Sequence, residues 1–163
     1  MKNNFIILIG SDGAGKSTIA EELNKALGYP VEHHGSVKSY FEGKQEYFNS
    51  IYNTNHSVIK DRFHEGEKIF APLYRDYEAD YFDELERELK YKFNPLLVLI
   101  NAPFNTILER IYIRGEYYVR PEHFEYCYNK VIDIFNESTL PKMMIDTTMF
   151  TPSENVEKII KLL

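Results

Sequence analysis

Apolar and polar positions divide the chain into short unbroken runs and longer amphipathic stretches that alternate. Residues 5–9 (Phe-Ile-Ile-Leu-Ile) and 95–102 (Pro-Leu-Leu-Val-Leu-Ile-Asn-Ala) are continuous and apolar, the pattern of strands covered on both faces. Weaker runs at 31–34, 56–60 and 142–148 predict three further strands, the first of them lying at an edge. Between the first two, Ile19, Ala20, Leu23 and Leu27 have helical spacing, so 17–27 is expected to be a helix ended by Gly28-Tyr29-Pro30. Val37, Tyr40, Phe41, Phe48, Ile51 and Tyr52 then predict one helix, or two broken near Gly43.

The middle of the chain continues the alternation. Residues 63–75 read as a short helix that Pro72 ends or interrupts. Tyr74, Tyr77, Tyr81, Leu85 and Leu89 predict another from 75 to 91, its remaining faces acidic and solvated. Pro103 opens a helix carrying Ile107, Leu108, Ile111 and Ile113. A further helix is expected over 123–135, and a closing one, capped by Ser153, holds Val156, Ile159, Ile160 and Leu163. Strands alternating with helices, the most apolar strands central, predict an α/β fold: a five-stranded parallel sheet between two helical layers. Right-handed crossovers then bring the loop after each strand to one edge of the sheet.

Composition narrows the picture. At 163 residues the expectation is a single domain, 1–163. No apolar run approaches the ~20 residues of a membrane span, and the first four residues lead straight into a strand, so no signal peptide is expected and the location expected is cytoplasmic. Cys127 is the only cysteine, which excludes a disulfide framework; inside a helix it is expected to pack. A net charge of −6 argues against a nonspecific hold on nucleic acid. No two of the five histidines have the spacing on one helix that zinc would need.

The candidate chemistry gathers around Gly10-Ser11-Asp12-Gly13-Ala14-Gly15-Lys16-Ser17-Thr18, which satisfies G-x-x-x-x-G-K-[ST] between a strand and a helix. Such a loop curls its backbone N–H groups around phosphate oxygens, and the helix after it adds its positive end. Lys16 is expected to reach the β- and γ-phosphates of a nucleoside triphosphate, and Ser17 to hold Mg²⁺. Asp61 and Arg62 follow a strand, where a nucleotide enzyme places its Mg²⁺-linked carboxylate. Arg110, Arg114 and Arg120 bracket Gly115-Glu116-Tyr117-Tyr118-Val119, a hinged segment expected to close over phosphates as a lid at about 112–121. Tyr47, Phe48 and Tyr52 are either core or, for one of them, a ring on which a base stacks. Arg62 and Arg75 suit an acceptor phosphate, because guanidinium forks bind its oxygens in pairs.

These residues resemble the thymidylate kinase-like branch of P-loop nucleoside monophosphate kinases, over nearly the whole chain. The resemblance rests on the Gly10 to Thr18 loop, on Asp61-Arg62-Phe63, and on Leu97-Val98-Leu99-Ile100-Asn101-Ala102-Pro103 leading through Arg110 to Arg114-Gly115. It implies ATP as phosphoryl donor with Mg²⁺ as cofactor, and a deoxynucleoside 5′-monophosphate, thymidylate or a related pyrimidine nucleotide, as acceptor. By resemblance, Gly13, Ala14, Gly15, Lys16, Ser17, Thr18 and Arg110 hold ATP, with adenine near Thr147 and Thr148. Asp12 meets the sugar 3′-hydroxyl, Phe48, Tyr52, Arg62 and Arg75 complete the acceptor site, and Lys16, Asp61, Arg62 and Arg114 serve transfer. Ser17 and Asp61 are the metal residues. The chain is compact, as in phage-encoded relatives, and two segments that read the base in the family are replaced, at 31–36 and at Gly66, Glu67, Phe70 and Ala71. Partners beyond ATP and the acceptor are expected to include neither nucleic acid nor membrane, and a homodimer is compatible with this. A deoxynucleoside kinase and, from another class, a DNA-directed ATPase or a noncatalytic nucleotide-binding module stay open as alternatives. A regulatory GTPase does not fit, because Asp61 is followed by His64 where that class needs glycine.

Overall fold

In the computed structural model, which describes residues 1–163, the first apolar run is the middle strand of the sheet. β1 (Asn4–Ile9) lies between β3 (Val58–Asp61) and β4 (Asn94–Asn101), with β2 (Val31–His33) and β5 (Lys142–Asp146) at the edges, giving the order β2-β3-β1-β4-β5. Every neighbouring pair is parallel, and Leu8 stands opposite both Asp61 and Val98. The five-stranded parallel sheet expected from the hydrophobic pattern is therefore the observed one. Phe5, Ile6, Ile7 and Leu8, with Leu97, Val98, Leu99 and Ile100, are fully buried. Each such side chain contributes about 1.5–3 kcal/mol of burial.

Chain direction reverses its lateral progress at β1, since β3 and β4 lie on opposite sides of it. A crevice opens outside the carboxyl ends of the strands at such a switch point. α1 (Lys16–Leu27) follows β1 there, and α5 (Phe104–Arg114) follows β4. α2 (Tyr40–Asn53), α3 (Glu65–Tyr74), α4 (Phe82–Lys92), α6 (Phe124–Glu137) and α7 (Pro152–Ile160) complete the helices. A single 3₁₀ turn, Pro121–His123, leads into α6. No helix is long and apolar enough to cross a membrane.

Several elements differ from expectation, each for a local reason. α2 is one helix through Gly43, because a Cβ there would meet Val37 Cγ2 at 3.0 Å and the Tyr81 hydroxyl at 3.1 Å. The glycine permits close packing, and no break follows. The helix expected from Arg75 begins only at Phe82: Asp76 adopts φ 55° and turns the chain away after α3. Tyr77 and Tyr81 were periodic because both rings pack edge-on against Tyr40 of α2, at 6.2 and 5.4 Å, and not because they share a helix. Thr151, two residues before Ser153, caps α7; its hydroxyl accepts from the Glu154 N–H and the Glu154 carboxylate accepts from the Thr151 N–H. β5 ends at Asp146, leaving Thr147 and Thr148 in a turn. Ile113, expected on a packed face, is 86% exposed at the last turn of α5.

Candidate active site

The turn from β1 into α1 builds the first part of the site. Gly10 passes so close to β4 that a Cβ would lie 2.3 Å from the Ile100 carbonyl oxygen, which leaves room for glycine alone. α1 starts at Lys16 behind Gly15, with no side chain capping its first N–H groups and no acid in its first turn. Those donors face the loop without a competing anion. Lys16 folds back over the loop and donates from Nζ to the carbonyls of Gly10 (2.8 Å) and Ser11 (2.9 Å). Burial, followed by the nearby Arg62 charge, brings its ammonium down to about 8.

Beside the loop, Ser17 Oγ donates to Asp61 Oδ2 at 3.3 Å, and His33 Nδ1 is 3.2 Å from the same oxygen. The other carboxylate oxygen, Oδ1, is buried without a hydrogen-bond partner. A hydroxyl and a carboxylate are hard oxygen donors suited to Mg²⁺, and an orphaned buried oxygen is what a cation or its water would satisfy. The residues present therefore fit the ion.

Three arginines from two places, Arg62 after β3 and Arg110 and Arg114 of α5, converge on this loop. Arg62 sits at φ 71°, a left-handed conformation uncommon for a residue with a Cβ, while its N–H still donates to the Leu8 carbonyl (3.2 Å). The sheet ladder thus holds its backbone as its conformation leaves the strand. Its guanidinium carbon is 5.9 Å from the Tyr118 ring, and that of Arg114 is 5.4 Å from the same ring. Arg114 Nη2 in turn donates to Asp12 Oδ2 at 2.7 Å. Arg110 braces the loop from outside, donating to Thr147 Oγ1 (2.8 Å) and to the Ala14 carbonyl (3.3 Å). Arg120 stands apart, over Tyr74 at 5.9 Å, so the lid segment brings only two of its three arginines to the loop. Thr147 also donates to the Ala14 carbonyl (3.1 Å), whereas Thr148 is exposed and turned onto the Asp146 carboxylate.

Two cavities flank these residues. One, of about 510 Å³, is almost wholly polar and runs along Gly13, Gly15, Ser17 and Thr18 to Asp61 and Arg110. The other, of about 430 Å³, lies under α3 and α6 and is walled by Tyr47, Phe70, Val131 and Cys127 with Glu65 and Arg75. Asp12, Lys16, His34, Arg62 and Tyr118 line both. Arg75 does reach the second cavity, but Nη1 is held by Glu67 Oε1 at 2.6 Å. Phe48 and Tyr52 do not reach it: they pack on each other at 6.1 Å outside the lining, and Tyr47, one position earlier and buried, is the ring of α2 that faces it. Cys127 has its thiol pushed up to about 11 by burial, so it contributes bulk and not a nucleophile.

Glu65, Glu67 and Glu86 are all buried. Only Glu86 falls on a helix face expected to be solvated; Glu65 has no role in the sequence reading, and Glu67 stands only among the positions replaced relative to the resembled family. Glu67 accepts from Arg75 and from the Tyr77 hydroxyl. Glu86 accepts from the hydroxyls of Ser138 (2.7 Å) and Thr139 (2.6 Å) and from the Thr139 N–H (2.8 Å). Glu65 has no partner for either oxygen, and burial pushes its carboxyl up. The signal in the sequence was position alone: Glu65 lies three residues beyond Arg62, within the first turn after a functional strand end.

No family model matches the chain. Among known proteins it is similar to the SPβ prophage-derived uncharacterized protein YorR of Bacillus subtilis strain 168, 27% identical over 166 residues that cover 97% of this chain and 98% of that one. The crystal structure of YorR, in complex with phosphorylated GDP, superposes with a TM-score of 0.82 at 26% identity, covering 97% of this chain and 94% of that one. Deoxyadenosine kinase from M. mycoides, with dCMP and dCDP bound, gives 0.65 at 22% identity over 96% of each chain. Shikimate kinase from Acinetobacter baumannii gives 0.56 at 18% identity, over 99% of this chain and 93% of that one. The fold is thus that of P-loop kinases, shared by enzymes whose acceptors differ widely.

Proposed function

We propose that this chain transfers the γ-phosphoryl group of ATP to the phosphate of a deoxynucleoside 5′-monophosphate, in the manner of thymidylate kinase-like enzymes. The observation that carries the reading is the shared wall of the two cavities: Asp12, Lys16, His34, Arg62 and Tyr118 line both, so groups bound on either side meet over the phosphate loop. ATP would occupy the polar cavity, its phosphates taken by the Gly13 to Thr18 backbone and by Lys16. Ser17 and Asp61 would hold Mg²⁺, which would neutralise charge on the β- and γ-phosphates. Lys16 would leave its loop carbonyls for the transferring group, and Arg62 and Arg114, gathered by Tyr118, would stabilise charge spread over that group in the transition state. Asp12 faces the acceptor side and would accept from the sugar hydroxyl once Arg114 turns to phosphate. That the relative YorR binds phosphorylated GDP supports nucleotides as the ligands.

A phosphate acceptor fits better than a sugar hydroxyl. A phosphate monoester, with its second pKa near ~6, is already a dianion at neutral pH and needs cations, whereas a hydroxyl needs a positioned base. Arg62 supplies the cation, and Asp61, the natural candidate base, would be committed with Ser17 to Mg²⁺. One observation favours a deoxynucleoside kinase instead: Arg75 is already neutralised by Glu67. The deciding test is kcat/KM for ATP consumption on matched deoxynucleosides and their 5′-monophosphates. The monophosphates should be preferred, and faster reaction of the free nucleosides would transfer the assignment to the alternative.

A further inference from the structure

Of the three buried acids, Glu67 on the wall of the second cavity is answered by Arg75 and Tyr77, and Glu86, outside that lining, by Ser138 and Thr139. Glu65 differs. It is 2% exposed, lines the cavity, and neither carboxylate oxygen has a hydrogen-bond partner. The His64 ring lies beside it, with Nδ1 3.4 Å from Oε1 and Nε2 3.9 Å from Glu86 Oε1. A buried polar group left unpaired is costly, and more so when charged, so an orphaned carboxyl in a ligand cavity points to donors that the ligand brings. The rings of Tyr47 and Phe70 line the same cavity and suit a flat, aromatic guest.

Building on the nucleotide-acceptor reading, we infer that Glu65 reads the base of the acceptor, and that the base is guanine. Burial alone disfavours the ionised form of Glu65, and two ligand N–H donors would favour it; as a carboxylate it is acceptor-only and presents two oxygens side by side. Guanine alone among the common bases has two adjacent donors on its pairing edge, N1–H and N2–H₂. Thymine sets a carbonyl on each side of its N–H, and adenine and cytosine set a ring-nitrogen acceptor beside their amino group. Each of these three would place a lone pair against a carboxylate oxygen. The inference therefore puts guanine where the sequence resemblance implied a pyrimidine. Replacing Glu65 by glutamine turns one acceptor into a donor, which removes the match to guanine and creates one to the mixed donor-acceptor edges.

The test is direct binding, measured by calorimetry without ATP, of dGMP, dIMP, dTMP, dCMP and dAMP to the whole protein. dGMP should bind best, and dIMP, which lacks only the N2 amino group, about ten- to a hundredfold more weakly, the range expected for one hydrogen bond to a charged group. Glu65→Gln, checked for folding by its melting curve, should lose that preference and gain affinity for at least one of the other bases. Equal binding of dGMP and dIMP to the native protein overturns the inference, even if Glu65→Gln fails to fold. An unchanged order of bases in a folded Glu65→Gln overturns it as well. Because binding is read without phosphoryl transfer, its outcome is separable from that of the kinase reading: guanine preference that vanishes in Glu65→Gln upholds the role of Glu65 even if no monophosphate is phosphorylated.

Discussion

Ser17 Oγ and Asp61 Oδ2 meet at 3.3 Å although the two residues are 44 positions apart. Their meeting follows from the sheet: Ser17 is the second residue of α1, which follows β1, Asp61 ends β3, and β1 and β3 are parallel neighbours with Leu8 opposite Asp61. If this pair holds Mg²⁺, removing one charge from it should be felt mainly in catalysis. Asp61→Asn should keep its melting temperature within a few degrees and lose about two powers of ten or more in kcat, with a higher Mg²⁺ requirement. An unchanged Mg²⁺ titration curve would take Asp61 out of the metal site.

Lys16 is buried and turned onto two loop carbonyls, a position from which it can swing to a phosphate without leaving the loop. Its contribution should be larger in the transition state than in bound ATP. Lys16→Ala is expected to lower kcat by roughly two powers of ten while folding normally. Near-native turnover in a folded variant would remove the loop from the mechanism.

Arg62 stands where the cavities join and owes its direction to a left-handed backbone. Arg62→Ala should erase most of the preference for a monophosphate over its nucleoside, measured as the ratio of kcat/KM values. Tyr118→Phe keeps the ring face that both guanidinium groups approach and should be mild, whereas Tyr118→Ala should lower kcat by roughly tenfold by loosening both. Equal rates for the two variants would show that the ring does not organise the arginines.

Glu86 predicts how stability depends on pH. Burial pushes its carboxyl up, but the His64 ring 3.9 Å away and hydrogen bonds from Thr139 and Ser138 outweigh this and bring it down to about 2. The folded value is depressed, so the stabilisation is fully present above the ordinary carboxylate range near 4.5 and is lost as pH falls from there toward 2. Glu86→Gln should therefore lower unfolding free energy by about 2 kcal/mol at pH 7, with the difference from the native chain shrinking in acid. Parallel denaturant curves at pH 7 and pH 3 check this, and a gap that does not narrow would refute it.

The sequence by itself determined the scaffold and the phosphate loop. Runs such as 5–9 and 95–102 are short, continuous and apolar, as strands covered on both faces are, and a loop whose curvature and donors come from its own backbone needs no distant partner to be recognised. Helix limits were less legible where packing overrode periodicity, as at Gly43, where a missing Cβ admits Val37 and Tyr81, and at 76–81, where tyrosines spaced like a helix face serve a cluster with Tyr40. The second cavity was least legible of all. Whether Tyr47 or Phe48 faces it depends on the rotation of α2 against the sheet, and whether an acid of α3 is solvated or buried depends on α6 lying over it. Local spacing carries neither fact, because one residue along a helix turns a side chain by about 100°, and only the tertiary packing fixes that angle.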